Sequence, residues 1–370
     1  MKSYDPYDIW SLPLFGRVKN SWSAGDRKVL PVLILIGIFE TFFPILTRKI
    51  CRAPRNEFAH VIAMHYFIGT VSGTHAVKKF KELRVRSSGW GLPFNWYSKN
   101  GVYGANTPYI TNTPYVMEAL VELGAAGCQS ELASEMFNST WSFLESLRIH
   151  HSDENFLALS YAPVNEPRTV VNANSYAAFA YSLHALHGVN SDVRAVAGDK
   201  SKRITAWLIK QQKPDGRWLY YADDLEGNFV DCFHSCFIVK NLIKIMKNDP
   251  SLERDIRPVI EKAFTYIREN LFDDYVGLCK RFSEGGSKDP FRWDLYDQAE
   301  YLGLLIDFGL LDEASNFCSK VRNRFFRKGR WYCRIDVFGR LWGKEFLRWG
   351  IVPFQYHCRR LENRLQSSCK

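Results

Sequence analysis

The sequence predicts an all-α protein: an α/α toroid, which is a closed ring of helical hairpins, preceded by an N-terminal helical arm. Beyond Asn56 the apolar residues mostly recur at helical spacing, and alternating strand patterns are scarce. Short turns alternate with long polar loops, as a ring of hairpins requires if its longer loops are to shape one rim. With 370 residues, 46% of them hydrophobic, the chain is able to bury a large core.

The predicted helices follow one another without a Pro/Ser-rich linker between residues 56 and 364, so we expect an arm over 1–55 and one toroid domain over 56–370. The spacing predicts helices near 58–84, 112–126, 128–148, 172–188, 199–212, 231–247, 254–270, 294–309, 311–326 and 343–364. The long polar loops between them are 86–111, 150–171, 213–230, 272–293 and 327–342.

The chain is basic and rich in aromatic residues. A formal charge of +10 favours an acidic partner such as a polyanionic glycan or an anionic membrane surface. Apart from groups at 48–55 and 322–330 the basic residues are scattered, which disfavours nucleic-acid binding. Aromatic residues make up 15% of the chain, and several stand beside Asn, Asp and Gly, as suits stacking on sugars. A large helical core also uses many aromatic side chains.

The cysteines and motifs set limits on location and cofactors. Nine irregularly spaced cysteines, with no secretory signal at the start, predict free thiols in the cytoplasm. Cys232, His234 and Cys236 alternate, but residues two apart on a helix point apart, so a zinc site would need Cys279 or His357 from another hairpin. No phosphate loop, dinucleotide-binding turn, nucleophile elbow or HExxH motif is present, and we expect no cofactor.

An apolar segment at 29–45 is flanked by basic residues on both sides. It is shorter than the ~20 residues needed to span a bilayer, and it contains Pro31, Glu40 and Pro44. We therefore expect residues 29–47 to lie flat on the inner-membrane surface, peripheral to it. The alternative is a helix packed against the outside of the ring.

Asp231 and His234 stand three residues apart at the start of a predicted helix, after the turn PDGRW that holds Trp218. On a helix they share one face, so they can act as an acid/base or sugar-binding pair. The alternative is that Asp231 caps the helix and His234 is a hydrogen-bonded core residue.

Two further regions combine aromatic rings with amides. Trp90, Phe94 and Trp96 crowd one loop, where with Asn106 they either line a groove for pyranose rings or plug the end of the ring. Tyr161 lies in the next long loop, and the following helix begins with further candidates for sugar binding, Asn172, Asn174 and Tyr176.

The last third of the chain adds charged candidates. Asp294 and Asp297 are spaced i and i+3, so they can divide acid and base roles, although helix capping explains Asp294 equally well. Near the C-terminus Trp349 and Tyr356 share a face, and Arg348 is a candidate partner for a sugar carboxylate.

Six segments of the sequence, in their order along the chain, resemble a known family. They are YDPYDIW, GWGLPFNW, NTPYITNTPYV, the Tyr161 loop with VVNAN, PDGRWLYY with FVDCFH, and LRWG. It comprises helical proteins from bacterial capsule, O-antigen and exopolysaccharide gene clusters, distantly similar to the catalytic α/α-toroid domain of glucuronyl C5-epimerases. The resemblance implies an intracellular protein of polysaccharide biosynthesis that acts on a lipid-linked or polymeric uronic acid.

C5 epimerisation needs a base, a proton donor on the opposite face and a cation for the enolate. For these roles the candidates are Tyr161, Tyr221, Asp231, His234 and Arg348. The rival hypotheses are a non-catalytic glycan-binding or scaffolding protein, and a hydrolase or lyase of the same fold. Inverting hydrolysis would require two carboxylates ~6.5–9.5 Å apart across the cavity.

Overall fold

In the computed structural model, residues 1–23, 25–86, 88–98, 100–286 and 290–368 are described. The arm contains three helices, α1 (Pro13–Ser23), α2 (Leu30–Phe42) and α3 (Pro44–Ile50). The segment predicted as one apolar helix is thus two helices, and the chain bends by 116° between them. The break lies at Phe43 because Pro44 has no N–H with which to continue the hydrogen bonds of α2.

Within the described ranges, no single helix has both the length and the apolar character to cross a membrane, although α2 and α3 together, with their bend, meet the criterion of length and composition.

In the described ranges, eleven further α-helices form the ring. The inner helices, each packed on the next, are α4 (Ala59–Ile68), α6 (Thr113–Ala125), α8 (Val171–His187), α10 (Cys232–Asn248), α12 (Leu295–Asp307) and α14 (Val352–Ser368). The outer helices are α5 (Gly73–Leu83), α7 (Ser130–Ser146), α9 (Ser191–Gln211), α11 (Glu253–Asn270) and α13 (Leu311–Phe325). The ring closes because α14 packs against α4. Most residues of α8, α10 and α12 are buried, as expected of helices surrounded by others.

Three predicted helices differ clearly in their bounds, and one of them, predicted over 199–212, begins eight residues earlier, at Ser191. The helix predicted over 58–84 is divided into α4 and α5 because Gly69 adopts a left-handed φ of +82° that ends α4, and Ser72 caps the start of α5. Ahead of α14, residues Leu347–Ile351 form a kinked turn in which Gly350 has a φ of +88°. The kink projects Arg348 and Trp349 toward the centre of the ring instead of along a helix face.

The long loops contain short antiparallel strands that the sequence pattern did not predict. These are β1 (Trp96–Ser98), β2 (Gly101–Tyr103), β3 (Ile149–Ser152), β4 (Leu157–Leu159), β5 (Val230–Asp231), β6 (Phe272–Asp273), β7 (Leu278–Cys279), β8 (Phe282–Glu284), β9 (Phe291–Asp294), β10 (Phe326–Arg327), β11 (Arg330–Trp331), β12 (Arg334–Asp336) and β13 (Leu341–Trp342). Their two to four residues are too few to show alternation. The pair β5–β8 and the sheet β13–β12–β9 connect different loops into one rim.

The beginning of the arm is part of the ring wall. Ser3 pairs with Asn56 through backbone hydrogen bonds, and Tyr4 and Ile9 are buried in the core. Asp5 is fully buried although it is charged, so it needs a partner inside the protein. That partner belongs to the cavity described next.

Candidate active site

A cavity of about 270 Å³ lies where the inner helices begin. Each of the six inner helices, or the turn that leads into it, contributes a residue from this end: His60, Tyr115, Asn172, His234, Tyr296 and Arg348. The volume is near the lower end of the ~300–1,000 Å³ typical of small-molecule sites. The N-terminal ends of helices carry partial positive charge, so this end of the ring favours ligands that are anionic or become so.

Asp231 and His234 form a hydrogen-bonded pair in the cavity wall. Nδ1 of His234 lies 2.8 Å from both carboxylate oxygens of Asp231. Asp231 occupies the N-cap position of α10, but its side chain makes no capping bond. The strand pair β5–β8 holds its backbone, because Asp231 lies opposite Phe282. With the proton on Nδ1 directed to Asp231, Nε2 carries the lone pair, which is the arrangement of a general base.

Arg348 is fixed by the arm. Its guanidinium makes a two-pronged ion pair with the carboxylate of Asp5, in which Nη2 lies 2.8 Å from Oδ1 and Nε bonds Oδ2. Burial alone would lower the pKa of Arg348, but Asp5 outweighs it and holds the pKa above its ordinary value. Tyr7 lines the cavity beside Arg348 and packs edge-on against Trp349, with ring centroids 5.3 Å apart.

A second arginine, Arg281, is held by Asp294. Oδ2 of Asp294 accepts hydrogen bonds from Arg281 at 2.9 Å, Arg334 at 2.9 Å and the indole of Trp349 at 2.7 Å. Its Oδ1 accepts from the Tyr296 backbone and caps α12. Asp294 therefore orients two cavity side chains, Arg281 and Trp349, from behind the wall.

Another part of the wall is aromatic. The ring of Tyr161 contacts those of Trp96, Tyr103 and Tyr109 at centroid distances of 5.5–5.9 Å. The hydroxyl of Tyr161 lies 2.6 Å from that of Thr111. Burial raises the pKa of Tyr161 to about 12 although Thr111 opposes the shift, so the phenol is protonated at neutral pH and can donate a proton.

The floor of the cavity is a buried polar network. The hydroxyls of Tyr115 and Tyr176 lie 2.9 Å apart, and Lys240 donates to Tyr115 at 2.9 Å and to Glu300 at 2.7 Å. Burial by itself raises the pKa of Glu300, but Lys240 and then His357 lower it to about 2. Four inner helices, α6, α8, α10 and α12, are joined by these bonds.

Several polar atoms of the cavity lining have no hydrogen-bond partner within the described protein: Oδ1 of Asn172, the hydroxyl of Tyr109 and Nε of Arg281. Buried polar atoms are normally satisfied, because an unpaired one costs free energy.

The five residues proposed from the sequence for catalysis, Tyr161, Tyr221, Asp231, His234 and Arg348, all line this cavity. Of the proposed substrate-binding residues, Trp96, Asn172, Tyr176 and Trp349 also line it. The remaining eight do not, and the structure shows a packing or capping function for most of them.

Trp90, Phe94, Trp218 and Asn174 are core residues. The indoles of Trp90 and Trp218 donate to the carbonyls of Phe80 and Leu208, each at 2.9 Å, which ties each loop to the helix before it. Phe94 is buried and its ring contacts that of Phe58. Asn174 is 1% exposed and uses its amide on the backbone of Leu159 and Val170, so it joins β4 to α8. Polar loop composition did not distinguish these residues from cavity residues.

Asn106, Asp294, Asp297 and Tyr356 also lie outside the lining. Asn106 is exposed in a tight turn with a φ of +61°. Asp294 acts from behind the wall, and Asp297 is buried, with Oδ1 accepting from the Phe233 backbone. Burial holds the pKa of Asp297 well above its ordinary value. Tyr356 lies on α14 and contacts Phe67. Among the described lining residues, Asp231 is the one carboxylate.

The sequence reasoning missed Tyr7, His60, Arg281 and Tyr296, which also line the cavity. His60 stands in an apolar run, and Tyr296 stands two residues after Asp294 in a helical pattern, so neither had a signal distinct from core packing. Tyr7 belongs to the YDPYDIW segment and Arg281 belongs to a long rim loop. These locations in the sequence could have indicated that the two residues line the cavity.

In the part of the chain that the structure describes, the cysteines are not arranged as a metal centre. Cys232 and Cys236 are buried in α10 with Cys279 nearby, while Nδ1 of His234 is bound to Asp231. Within the described ranges, no group of three or more His, Cys, Asp or Glu residues is arranged to hold a metal ion.

Solved structures with the same architecture confirm the predicted α/α toroid. A cellobiose 2-epimerase from Bacillus thermoamylovorans has a TM-score of 0.61 at 12% identity, over 83% of this chain and 86% of that chain. A sugar epimerase from a ruminal bacterium has a TM-score of 0.58 at 12% identity, over 83% and 86%. A D-mannose isomerase has a TM-score of 0.57 at 14% identity, over 82% and 85%. No protein-family model matches the sequence, and no curated protein matches it.

Proposed function

We propose that this protein is a saccharide epimerase that removes a proton from a carbon beside a carbonyl or carboxylate group and returns one to the opposite face. The observation that carries the proposal is the convergence of the Asp231–His234 pair, Tyr161 and two arginines on one cavity. Base, proton donor and cation are the three groups that this reaction needs. Solved proteins with this fold include two named as sugar epimerases and one named as a mannose isomerase.

Each group has a defined step. Nε2 of His234 takes the proton, and Asp231 stabilises the imidazolium that results. The electron pair moves onto the oxygen of the carbonyl or carboxylate, where Arg281 or Arg348 stabilises it. Tyr161 then donates its proton to the other face of the carbon. Exchange with solvent returns a proton to Tyr161 and removes one from His234, so the net change is inversion at one carbon.

For the substrate we favour a uronic acid within a bacterial surface polysaccharide or its lipid-linked precursor. Support for the acid comes from Arg281 and Arg348, since guanidinium groups match carboxylates geometrically. Both arginines are already paired with Asp294 and Asp5, so a substrate carboxylate would share them. Trp96 and Trp349 supply aromatic surface for a pyranose ring. The place in polysaccharide biosynthesis rests on the resemblance of the sequence motifs.

The test is proton exchange in deuterated water. The protein is incubated with glucuronic and mannuronic acid polymers, cellobiose and mannose, and NMR follows deuterium at C5 of the uronic acids and C2 of the neutral sugars. We expect incorporation at C5, with His234→Ala and Tyr161→Phe at least about 10²-fold slower, since general acid–base groups contribute that much. Tyr356→Phe is the matched control, because Tyr356 lies outside the cavity, and it should retain the wild-type rate.

Two other results decide between this proposal and its rivals. Exchange at C2 of cellobiose or mannose alone would retain the chemistry and reject the uronic acid. Binding of a saccharide without exchange on any of the four substrates would reject the enzyme and favour a glycan-binding protein. Hydrolysis by paired carboxylates has less support, since Asp231 alone among the described lining residues carries a carboxylate.

A further inference from the structure

The arm exposes an apolar surface that a folded protein in water would normally bury. Ten large apolar side chains between residues 30 and 50 are each more than 40% exposed, among them Ile34, Leu35, Ile38 and Phe39. Exposed apolar patches of this kind mark a binding surface. The exposed residues lie on most of the circumference of α2, where Ile36 alone is buried.

A second segment, distant in sequence, extends the same surface. In the turn between β12 and β13, Val337 and Phe338 are 57% and 79% exposed. The guanidinium of Arg340 lies 4.6 Å from the ring of Phe42 and 5.3 Å from the ring of Phe338. The end of α2 and the turn that contains Phe338 therefore lie close together at the surface. We call α2, α3 and residues 337–338 together the docking surface.

Basic residues surround the docking surface. Arg27 and Lys28 precede α2, Lys49 is exposed at the end of α3, and Arg340 and Lys344 flank the turn. Residues 1–55 contain nine basic and four acidic residues, a net of +5, which is half of the charge of the chain. Such a rim is complementary to an anionic lipid surface.

We propose that the docking surface lies in the headgroup region of an anionic bilayer. The apolar surface of α2 is exposed around most of the helix circumference. A groove on a protein partner covers one side of a helix, whereas lipid can surround it. With 13 residues α2 is too short to span the ~30 Å hydrocarbon core. Glu40 is paired with Arg48 at 2.8 Å, so its charge stays on the protein side.

The docking surface is connected rigidly to the cavity. Arg48 of α3 is fully buried and bonds Glu40 of α2, Asp8 at 2.8 Å and the carbonyl of Asp5 at 2.9 Å. The carboxylate of Asp5 holds Arg348 in the cavity wall. Docking would therefore fix the orientation of the cavity to the bilayer, which suits a lipid-linked saccharide; this last point rests on the proposed function.

The experiment is vesicle flotation of the full chain, with phosphatidylcholine vesicles that contain phosphatidylglycerol and with phosphatidylcholine alone. We expect the wild type to float with the anionic vesicles. The double variant Ile34→Asp/Ile38→Asp and the single variant Phe338→Asp should lose about tenfold or more of this binding, because each places a charge at an apolar contact. Lys28→Glu/Lys49→Glu should lose the preference for anionic lipid.

Controls keep folding and activity out of the readout. Leu225→Asp and Tyr275→Asp change exposed residues of other loops and should float like the wild type. Circular dichroism checks that each variant is folded. Flotation does not require turnover, so the result stands whether or not the epimerase proposal holds.

Two outcomes would overturn membrane docking. One is a wild-type protein that stays at the bottom of the gradient with both kinds of vesicle. The other is a wild-type dimer in light scattering that Ile34→Asp/Ile38→Asp converts to monomer without any flotation, which would show that a second copy covers the surface.

Discussion

At the scale of single residues, the cavity depends on charges supplied from sequence-distant parts of the chain. Asp5 is 343 positions from Arg348 and fully buried, and it also accepts from the Tyr7 backbone at 2.9 Å. The motif YDPYDIW and the motif LRWG were separate observations in the sequence. In the structure, each provides one half of a single ion pair.

Replacing Asp5→Asn should destabilise the fold and impair the site. Arg348 would remain buried beside a neutral amide, and breaking a buried ion pair on one side costs about 3–5 kcal/mol. Urea denaturation measures this loss of stability. As a control, Asp224→Asn removes an exposed ion pair with Lys213 and should change stability by less than about 1 kcal/mol. Equal effects of the two variants would contradict the function assigned to Asp5.

At the scale of helices, α12 makes two close contacts with its neighbours α10 and α14. Lys240 of α10 and Glu300 of α12 are paired at 2.7 Å, with both side chains nearly inaccessible. Gly303 faces α14, where an added Cβ would lie 2.5 Å from the His357 ring. The contact between Lys240 and Glu300 requires opposite charges. The contact between Gly303 and His357 requires a residue without a side chain at position 303.

For the buried pair, Lys240→Met and Glu300→Gln should each cost about 3–5 kcal/mol, because each leaves one charge unpaired in the core. The double variant should cost less than the sum of the two, since neither charge remains. Chemical denaturation of all four proteins gives the coupling energy. Additive losses would mean that the two side chains do not stabilise each other.

The close approach at Gly303 gives an independent prediction. Gly303→Ala places a methyl group against the His357 ring, and overpacking of this kind typically costs about 1–3 kcal/mol. Gly198→Ala on α9 is the matched control, because a Cβ there meets its nearest neighbour at 3.9 Å and helix propensity favours alanine. Thermal unfolding should show a lower midpoint for the first variant and an equal or higher midpoint for the second.

At the scale of the whole molecule, buried histidines determine the response to acid. Burial, with a smaller effect of Arg348, lowers the pKa of His60 to about 3. Burial also lowers the pKa of His184 and His357 to about 4. These values are below the ~6.5 of an unfolded histidine, so the unfolded chain binds more protons in acid.

The contribution of these three histidines to stability should therefore fall as the pH decreases from about 6.5 to about 4, while the raised pKa values of the Asp8 and Asp297 carboxyls act in the opposite direction. Each of these histidines contributes a slope of up to about 1.4 kcal/mol per pH unit in that window. Urea denaturation at a series of pH values measures the slope. His184→Gln preserves a polar side chain near Thr140, which lies 2.9 Å from Nε2, and should reduce the slope. An unchanged slope would show that His184 is not neutral in the folded protein.

The sequence alone determined the all-α toroid, because helical periodicity and loop alternation are local properties of the chain. It also singled out Asp231, His234 and Tyr161, which stand beside helix starts and in rim loops and which line the cavity. It did not determine the short rim strands, the kink at Gly350 or the division of α2 from α3, since each depends on a few residues.

Only the tertiary structure separated cavity residues from core residues. Trp90 and Trp96 are tryptophans of the same loop with similar neighbouring residues. Trp90 nevertheless donates to the Phe80 carbonyl in the core, whereas Trp96 lines the cavity. Which of two neighbouring rings faces the cavity depends on contacts with residues far away in sequence. The same holds for Asp5 with Arg348 and for Phe42 with Arg340, because such pairs exist only once the ring has closed.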